Sequence, residues 1–192
     1  QRLNEVLGQP VVVENRAGAS QMIAADMTAK APADGHTLYI TSTTYTTGAA
    51  IQPKLPFDPV NDLATITVIG KGPMVLVVHP SVPARSVKEL IAIARAKPGQ
   101  LNYTSSGVGG INHLGVEVLK SATKTDMVHV PHKGMAPAIT DLMAGHVQVL
   151  LVSLPAVQAQ MNSGRLRALG VSSPMRSAFM PEMPAIAETV PG

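Results

Sequence analysis

Residues 101–120, LNYTSSGVGGINHLGVEVLK, decide how this chain folds. A short apolar run at 101–103 gives way to a serine- and glycine-rich turn at 104–110, and an amphipathic pattern begins at Ile111. A short apolar run bounded by turn residues is typical of a strand, and apolar spacing of three and four residues is typical of a helix. The stretch therefore predicts a strand, a glycine-rich loop and the start of a helix.

The predicted loop has the residues of an anion site. The first turn of a helix leaves backbone N–H groups without partners, and the peptide dipoles add partial positive charge there. Gly107, Gly109 and Gly110 would let a ligand approach closely, and Ser105 and Ser106 add hydroxyl donors. Such a site suits a carboxylate, sulfate or phosphate. The alternative is that these residues serve turn geometry only.

Composition narrows the functional classes. The 192 residues can form one large domain or two small ones, with 45% hydrophobic and 14% charged residues. The net charge is +3, the lysines and arginines are scattered, and aromatic residues make up 3%. Nucleic-acid binding normally needs clustered cations and stacking platforms, so we expect no nucleic-acid partner. Because the chain has no cysteine, disulfides and thiolate metal sites are excluded.

The two ends suggest a piece of a longer protein. Residues 2–7 resemble the tail of a helix, which Gly8 would stop. Residues 190–192, Val-Pro-Gly, form a turn signal that ought to lead to further chain. No apolar run approaches the roughly 20 residues needed to span a bilayer. We expect truncation, so the absence of a targeting signal carries no weight.

Predicted strands and helices alternate along almost the whole chain, which favours an α/β fold with mainly parallel sheets. Strands are predicted at 11–14, 37–41, 63–69, 74–78, 101–103, 126–130, 147–152 and 166–171. Helices are predicted at 2–7, 20–31, 86–96, from 111, at 136–144, 155–162 and 185–189. A glycine-proline break at 70–73 predicts a first lobe of residues 1–73 and a second of residues 74–192.

Six motifs in a fixed order resemble those of the Bug receptors, the extracytoplasmic solute-binding proteins of tripartite tricarboxylate transporters. They are residues 13–19 (VENRAGA), 55–63 (LPFDPVNDL), 105–114 (SSGVGGINHL), 129–134 (HVPHKG), 164–169 (GRLRAL) and 180–184 (MPEMP). The resemblance covers essentially the whole chain.

The resemblance implies a two-lobed type II periplasmic binding protein fold, truncated at both ends. Two α/β lobes would close on a small carboxylate, and a membrane permease would then receive it. Three departures from the family pattern concern ligand choice: residues 18–21 read GASQ instead of GAGG, His132 replaces a tyrosine, and Val152 replaces a frequent aspartate.

A second ligand-facing loop is expected at 41–47, TSTTYTT, after a predicted strand of the first lobe. Open α/β sheets bind ligands at the carboxyl ends of their strands, and the resemblance implies a ligand loop here. We predict Thr43, Thr44 and Tyr45 as ligand-binding residues. The alternative is a solvated polar loop.

Histidines and a lysine complete the candidate site. His113 would face the ligand or, equally, pack under the loop and bond to backbone. Lys133 would complement a second carboxylate or lie on the surface, and His132 beside it would add a further cation. His129 and His132 have a spacing used in some metal sites, but no cysteine or nearby acidic ligand completes a set, so no metal is expected.

The sequence lacks the motifs of nucleotide binding and of serine hydrolases, so we expect no cofactor and no enzyme activity. The main hypothesis is a periplasmic receptor that captures a small organic carboxylate for a tripartite transporter. A hydrolase or transferase using Ser105 or Ser106, with Ser106 and His113 as a conceivable pair, is the alternative. A sensor subunit with the same cleft is a third hypothesis. The sequence does not identify the ligand.

Overall fold

A computed structural model describes residues 2–178 and 180–191. In this part of the chain the helices are α1 (Arg2–Leu7), α2 (Met22–Ala29), α3 (Thr44–Ile51), α4 (Val87–Ala96), α5 (Ile111–Thr123), α6 (Met135–Ala144) and α7 (Leu154–Asn162). The strands are β1 (Met74–Val78), β2 (Asn102–Ser105), β3 (Val128–Pro131), β4 (Val149–Ser153) and β5 (Arg167–Val171). A 3₁₀ turn, Ile186–Glu188, follows β5. Gly192, the last residue of the predicted terminal turn, lies outside the described residues.

The strands form one mixed sheet in the order β3-β2-β4-β1-β5. β2 runs parallel to β3 and β4, whereas β1 is antiparallel to both β4 and β5. The α/β class is confirmed, and β1 is the exception to the predicted parallel arrangement. A bond from the His79 amide to the Gln148 carbonyl shows why: the end of β1 meets the chain just before β4 begins.

One edge of the sheet gathers the chain segments that bind ligands in α/β proteins. Because β2, β3 and β4 point the same way, their carboxyl ends at Ser105, Pro131 and Ser153 lie together. Met74, the first residue of β1, pairs with Ser153 at this edge. Ligands of open α/β sheets bind outside such carboxyl ends.

The sheet is buried on both faces, which fits the near-continuous apolar runs of its central strands. Side chains alternate along β1: Leu76 and Val78 pack under α4 and α5, while Val75 and Val77 pack under α6 and α7. On one side Tyr103 is fully buried, and on the other Leu142 is. Two hydrophobic layers thus hold the carboxyl edge rigidly.

The segment before β1 differs from the sequence-based expectation. Strands predicted at 11–14, 37–41 and 63–69 are absent from the structure, and these stretches have no regular secondary structure and are largely exposed, with Val12 at 81% and Ile66 at 77%. Isolated strands are not stable because backbone N–H and C=O groups need a paired neighbour, which these stretches lack within the described chain. The β-branched residues alone therefore misled the prediction.

The prediction of a loop at 41–47 is also wrong, because the second half of this polar stretch forms the start of a helix. α3 begins at Thr44, and the Ser42 carbonyl accepts the amide of Tyr45 at 2.9 Å. Hydroxyls of Thr46 and Thr47 donate to the carbonyl of Thr43 at 2.8 and 3.2 Å. Threonine is a weak helix former, so these local bonds and packing decide the conformation.

α4 confirms a helix predicted from its cap and its apolar stripe. The Ser86 hydroxyl accepts the amide of Glu89 at 3.2 Å, as a capping box requires. The Glu89 carboxylate accepts the amide of Arg85, one residue earlier than the motif predicts. Among residues 2–178 and 180–191, no helix has the length and apolar character to cross a membrane.

Candidate functional site

The glycine-rich loop connects β2 to α5 at the carboxyl edge. Gly107 has φ of +144° and Gly109 has φ of +81°, values that favour glycine. A Cβ on Gly109 would lie 1.8 Å from Cδ1 of Ile51, so the loop also depends on a close approach by α3. Both glycines are required by geometry, as the strand–loop–helix prediction implied.

A left-handed turn forms the opposite wall. Ala19, Ser20 and Gln21 have φ of 43°, 50° and 75°, a conformation that costs about 1–2 kcal/mol for each residue other than glycine. The Ser20 hydroxyl donates to the Val108 carbonyl at 2.5 Å and so joins this turn to the glycine-rich loop. Strained backbone of this kind is concentrated at functional sites.

The N-terminal ends of α3 and α5 meet behind the loop. Thr44, which is 3% exposed, accepts the Ile111 amide on its hydroxyl at 3.3 Å. Gln52, just after α3, donates from its side chain to the Ala19 carbonyl at 3.4 Å. These contacts fix the left-handed turn, α3 and the glycine-rich loop relative to one another.

His132 and Lys133 follow β3 and form the third side. Nδ1 of His132 lies 2.8 Å from the Thr104 hydroxyl, and Nε2 lies 2.7 Å from the Asp141 carboxylate. Hydrogen bonds from His132 and then His146 lower the pKa of Asp141, so this carboxylate is ionised and orients His132. Lys133 is exposed.

These segments line an open cavity of about 460 Å³. It is lined by Gly18, Ala19, Ser20, Ile51, Gln52, Ser106, Gly107, Val108, His132 and Lys133. The lining, all of it in the described chain, contains a lysine and no carboxylate, so its residues suit an anionic ligand better than a cationic one. The volume lies in the range of small-molecule sites.

Backbone amides complete the anion character of the cavity. The amides of Gly107, Gly109 and Gly110 already have acceptors within the loop and α5. Within the described residues, the amides of Ser106 and Val108 have no protein acceptor, and both residues line the cavity. Donors of this kind are available to a carboxylate oxygen.

Three of the ten predicted site residues line the cavity: Ser106, Gly107 and Lys133. Gly109 and Gly110 lie directly behind the lining and shape the loop. Ser105 is fully buried; its hydroxyl donates to the Gly107 carbonyl at 3.0 Å and supports the loop from below.

The other predicted residues lie away from the cavity lining. Thr44 supports the loop, and Thr43 precedes α3 and offers its carbonyl to the next turn. The Tyr45 hydroxyl donates to the Pro59 carbonyl at 2.7 Å, and its ring stacks on Phe57. His113 accepts the Gly109 amide on Nδ1 at 3.2 Å, the arrangement considered above as the alternative to ligand contact.

Sequence reasoning missed part of the lining. His132 and the 18–20 turn carried a signal, because they lie in or beside motifs shared with the Bug receptors. His132 was considered as a cation beside Lys133, but neither His132 nor the turn was included in the predicted site. Ile51, Gln52 and Val108 carried none, since an apolar or amide side chain near a loop has no chemical signature. Val152, the position of a frequent family aspartate, is 1% exposed and packs in the core.

The geometry does not assemble a hydrolase. The Ser106 hydroxyl donates to Oδ1 of Asn112 at 3.2 Å, not to His113. The serine that does contact a histidine is Ser105, 2.7 Å from Nε2 of His129, and Ser105 is fully buried. No cluster of three potential metal ligands occurs among residues 2–178 and 180–191.

Comparison with known proteins gives consistent matches. The family model described as "Tripartite tricarboxylate transporter family receptor" matches residues 1–191. "Protein BugT" of Bordetella pertussis is 38% identical over 188 residues, which are 97% of this chain and 58% of that protein. The chain thus spans little more than half the length of this curated relative.

Two similar solved structures are described with a bound ligand. "R. palustris Rpa4515 with adipate" superposes with a TM-score of 0.96 at 38% identity, over 100% of this chain and 64% of that one. "MatC (Rpa3494) from Rhodopseudomonas palustris with bound malate" superposes with a TM-score of 0.89 at 26% identity, over 98% and 64%.

Proposed function

Because the chain belongs to the tripartite tricarboxylate transporter family receptors, we propose that it captures a small organic carboxylate in the cavity between the 18–20 turn and the glycine-rich loop. The family consists of solute receptors, not enzymes, and the buried Ser105 fits that assignment. Binding without chemistry is therefore the function proposed for this site.

The observation that carries the proposal is the set of donors around one cavity. Ser106, Val108 and Lys133 line a space without carboxylates, and within the described chain the amides of Ser106 and Val108 have no protein acceptor. The Ser106 hydroxyl would join these donors by turning from Oδ1 of Asn112 to the ligand. A carboxylate needs such donors, because an ion removed from water must regain its hydrogen bonds. The loop would hold one carboxylate, and Lys133 would face the distal end of a dicarboxylate.

The ligand class is inferred from the relatives and from the size of the cavity. Structures described with adipate and with malate share this fold, and both ligands are small dicarboxylates. A cavity of about 460 Å³ has room for either. We propose a dicarboxylate of four to six carbons as the ligand.

The compartment and the membrane partner are inferred from the family. We propose that the protein acts in the periplasm and delivers its ligand to a membrane permease of a tripartite tricarboxylate transporter. We further propose a first lobe of residues 1–73 and a second of residues 74–192 that close on the ligand. All strands of the described chain lie within the second segment, beginning with β1 at Met74, which supports this division.

Isothermal calorimetry of the chain with adipate and malate tests the proposal, with 1,6-hexanediol as an uncharged analogue of adipate. Binding of an acid but not of the diol is expected. Lys133→Gln should weaken dicarboxylate binding about fivefold to tenfold, whereas substitution of Lys71, an exposed lysine that is not part of the lining, by glutamine should not. Equal binding of acid and diol, or no binding of either acid, would overturn the proposal.

A further inference from the structure

A column of three stacked rings lies beneath the glycine-rich loop. The rings of Tyr103 and His129 have centroids 4.8 Å apart and an angle of 19°, and those of His129 and His113 are 4.1 Å apart at 28°. Tyr103 is on β2, His129 on β3 and His113 on α5, so the column joins β2 and α5, which flank the loop, to the neighbouring strand β3. None of the three rings lines the ligand cavity.

The upper ring holds a loop amide. Nδ1 of His113 accepts the N–H of Gly109 at 3.2 Å, and Gly109 is itself buried. A ring nitrogen can accept only while it carries no proton. The Gly109 amide therefore keeps its partner only while His113 is neutral.

The middle ring holds the loop through Ser105. The Ser105 hydroxyl lies 2.7 Å from Nε2 of His129, donates to the Gly107 carbonyl at 3.0 Å and accepts the Gly107 amide at 3.2 Å. Because the one hydroxyl proton goes to Gly107, this network assigns a proton to Nε2 of His129, which then donates to Ser105. Both histidines thus reach the loop in defined neutral tautomers.

Charged groups around the column favour these neutral forms. Burial and then the proximity of His113 lower the pKa of His129 to about 4, with Lys120 and His132 acting in the same direction and Glu117 opposing. Burial lowers the pKa of His113; Glu117 opposes this and Lys120 adds to it. Glu117 accepts from the Tyr103 hydroxyl and pairs with Lys120 at 2.7 Å, so its charge is already shared.

We infer that His113 and His129 are positioning residues that hold the glycine-rich loop in its binding conformation, and that protonating this ring pair loosens the loop and weakens carboxylate binding. A proton added to Nδ1 of His129 leaves the Nε2–H bond to Ser105 in place, so His129 acts through its repulsion of a charged His113. The inference rests on the function proposed above. A proton on Nδ1 of His113 removes the acceptor of the Gly109 amide. Two cationic rings 4.1 Å apart would also repel each other across the column.

Proton linkage determines the direction in which pH shifts the equilibrium between the ordered and the loosened loop. A loosened loop exposes both rings to water, where imidazole titrates near its ordinary value of about 6.5. The ordered loop resists protonation down to lower pH. Between these values the loosened state binds more protons, so acidification favours it, and raising the pH restores the ordered loop.

The experiment compares the wild-type chain with His113→Asn/His129→Gln. The asparagine oxygen replaces the Nδ1 acceptor and the glutamine amide replaces the Nε2 donor, but neither side chain titrates. His36→Asn, at an exposed histidine outside the column, is the matched control. Each protein is checked for folding by circular dichroism at pH 7.5.

Amide exchange measured by NMR without ligand reads the loop directly. From pH 7.5 to 5 the protection factor of the Gly109 amide should fall about tenfold in the wild type and in His36→Asn, less than the full pKa shift would give because His129 is only half-buried. In the double variant it should stay constant within about twofold. Equal pH dependence in all three proteins would overturn the inference.

A second measurement on the wild type alone keeps the inference testable if the variant misfolds. The ring C–H signals of His113 and His129 should titrate over the same pH range in which Gly109 protection is lost. Titration without loss of protection would overturn the inference. Calorimetry with adipate should show a steeper loss of affinity in acid for the wild type than for the double variant. Absence of binding of both adipate and malate at pH 7.5 would refute the proposed function alone, because the exchange measurement needs no ligand.

Discussion

Replacing Gly109 with alanine tests how the contact between α3 and the glycine-rich loop shapes the cavity. The new methyl group would lie 1.8 Å from Cδ1 of Ile51, so the Ile51 side chain must move. Gly164→Ala is a matched control, because Gly164 has φ of +72° and nothing within 4 Å of the added methyl. Both substitutions carry the backbone strain, and only Gly109→Ala displaces a cavity residue.

The loss of stability in each variant depends on the surroundings of the substituted glycine. A non-glycine residue at positive φ costs about 1 kcal/mol, which applies to both variants. Ile51 is 47% exposed, so displacing it forfeits about half the burial of an isoleucine side chain, roughly 1 kcal/mol more. Gly109→Ala should therefore lower the free energy of unfolding by about 2 kcal/mol, and Gly164→Ala by about 1 kcal/mol.

Thermal unfolding and calorimetry with adipate measure the two effects. The melting temperature should fall by roughly 2–4 °C per kcal/mol for a chain of this size. Affinity should fall about fivefold in Gly109→Ala and stay unchanged in Gly164→Ala. In an Ile51→Ala background the stability cost of Gly109→Ala should shrink to that of the control, because the contact is already absent. Equal stability losses and equal affinities in the two glycine variants would refute the reasoning.

Three further predictions concern the site, the core and pH. Ser106→Ala should weaken carboxylate binding by about 1.5–3 kcal/mol in calorimetry if its hydroxyl contacts the ligand, and unchanged affinity with the fold intact would make Ser106 structural. Leu142→Ala should lower the free energy of unfolding by about 2–5 kcal/mol in denaturant titrations, because Leu142 is fully buried, whereas Val118→Ala, at 68% exposure, should stay within about 0.5 kcal/mol; similar losses would contradict the two-layer core. The free energy of unfolding of the apo chain should decrease as pH falls from about 6.5 toward about 4, because the unfolded state protonates His129 first, and His129→Gln should flatten this slope.

Local patterns were sufficient for the second half of the chain. α4 follows from its Ser86 cap and its apolar stripe, and β1 from five consecutive apolar residues. The glycine-rich loop follows from residue types that tolerate positive φ between an apolar run and a helix. In each case the deciding interactions lie within a few residues, so the sequence specifies them directly.

Local patterns failed where partners decide the conformation. Residues 11–14 and 63–69 have β-branched residues but no neighbouring strand in the described chain, so they do not form strands. The 41–47 stretch consists largely of weak helix formers. It nevertheless enters α3, because its hydroxyls bond to nearby carbonyls and Thr44 accepts the amide of Ile111. Neither outcome depends on residue type alone.

The sequence by itself determined the α/β class, the family and the position of the glycine-rich loop, because these follow from composition, periodicity and the order of motifs. Only the tertiary structure decided that β1 runs antiparallel and that the 18–20 turn faces Val108. It also decided that His113 and His129 stack beneath the loop while His132 lines the cavity. These contacts join residues up to 88 positions apart. A local sequence pattern does not specify which distant side chain will pack against it.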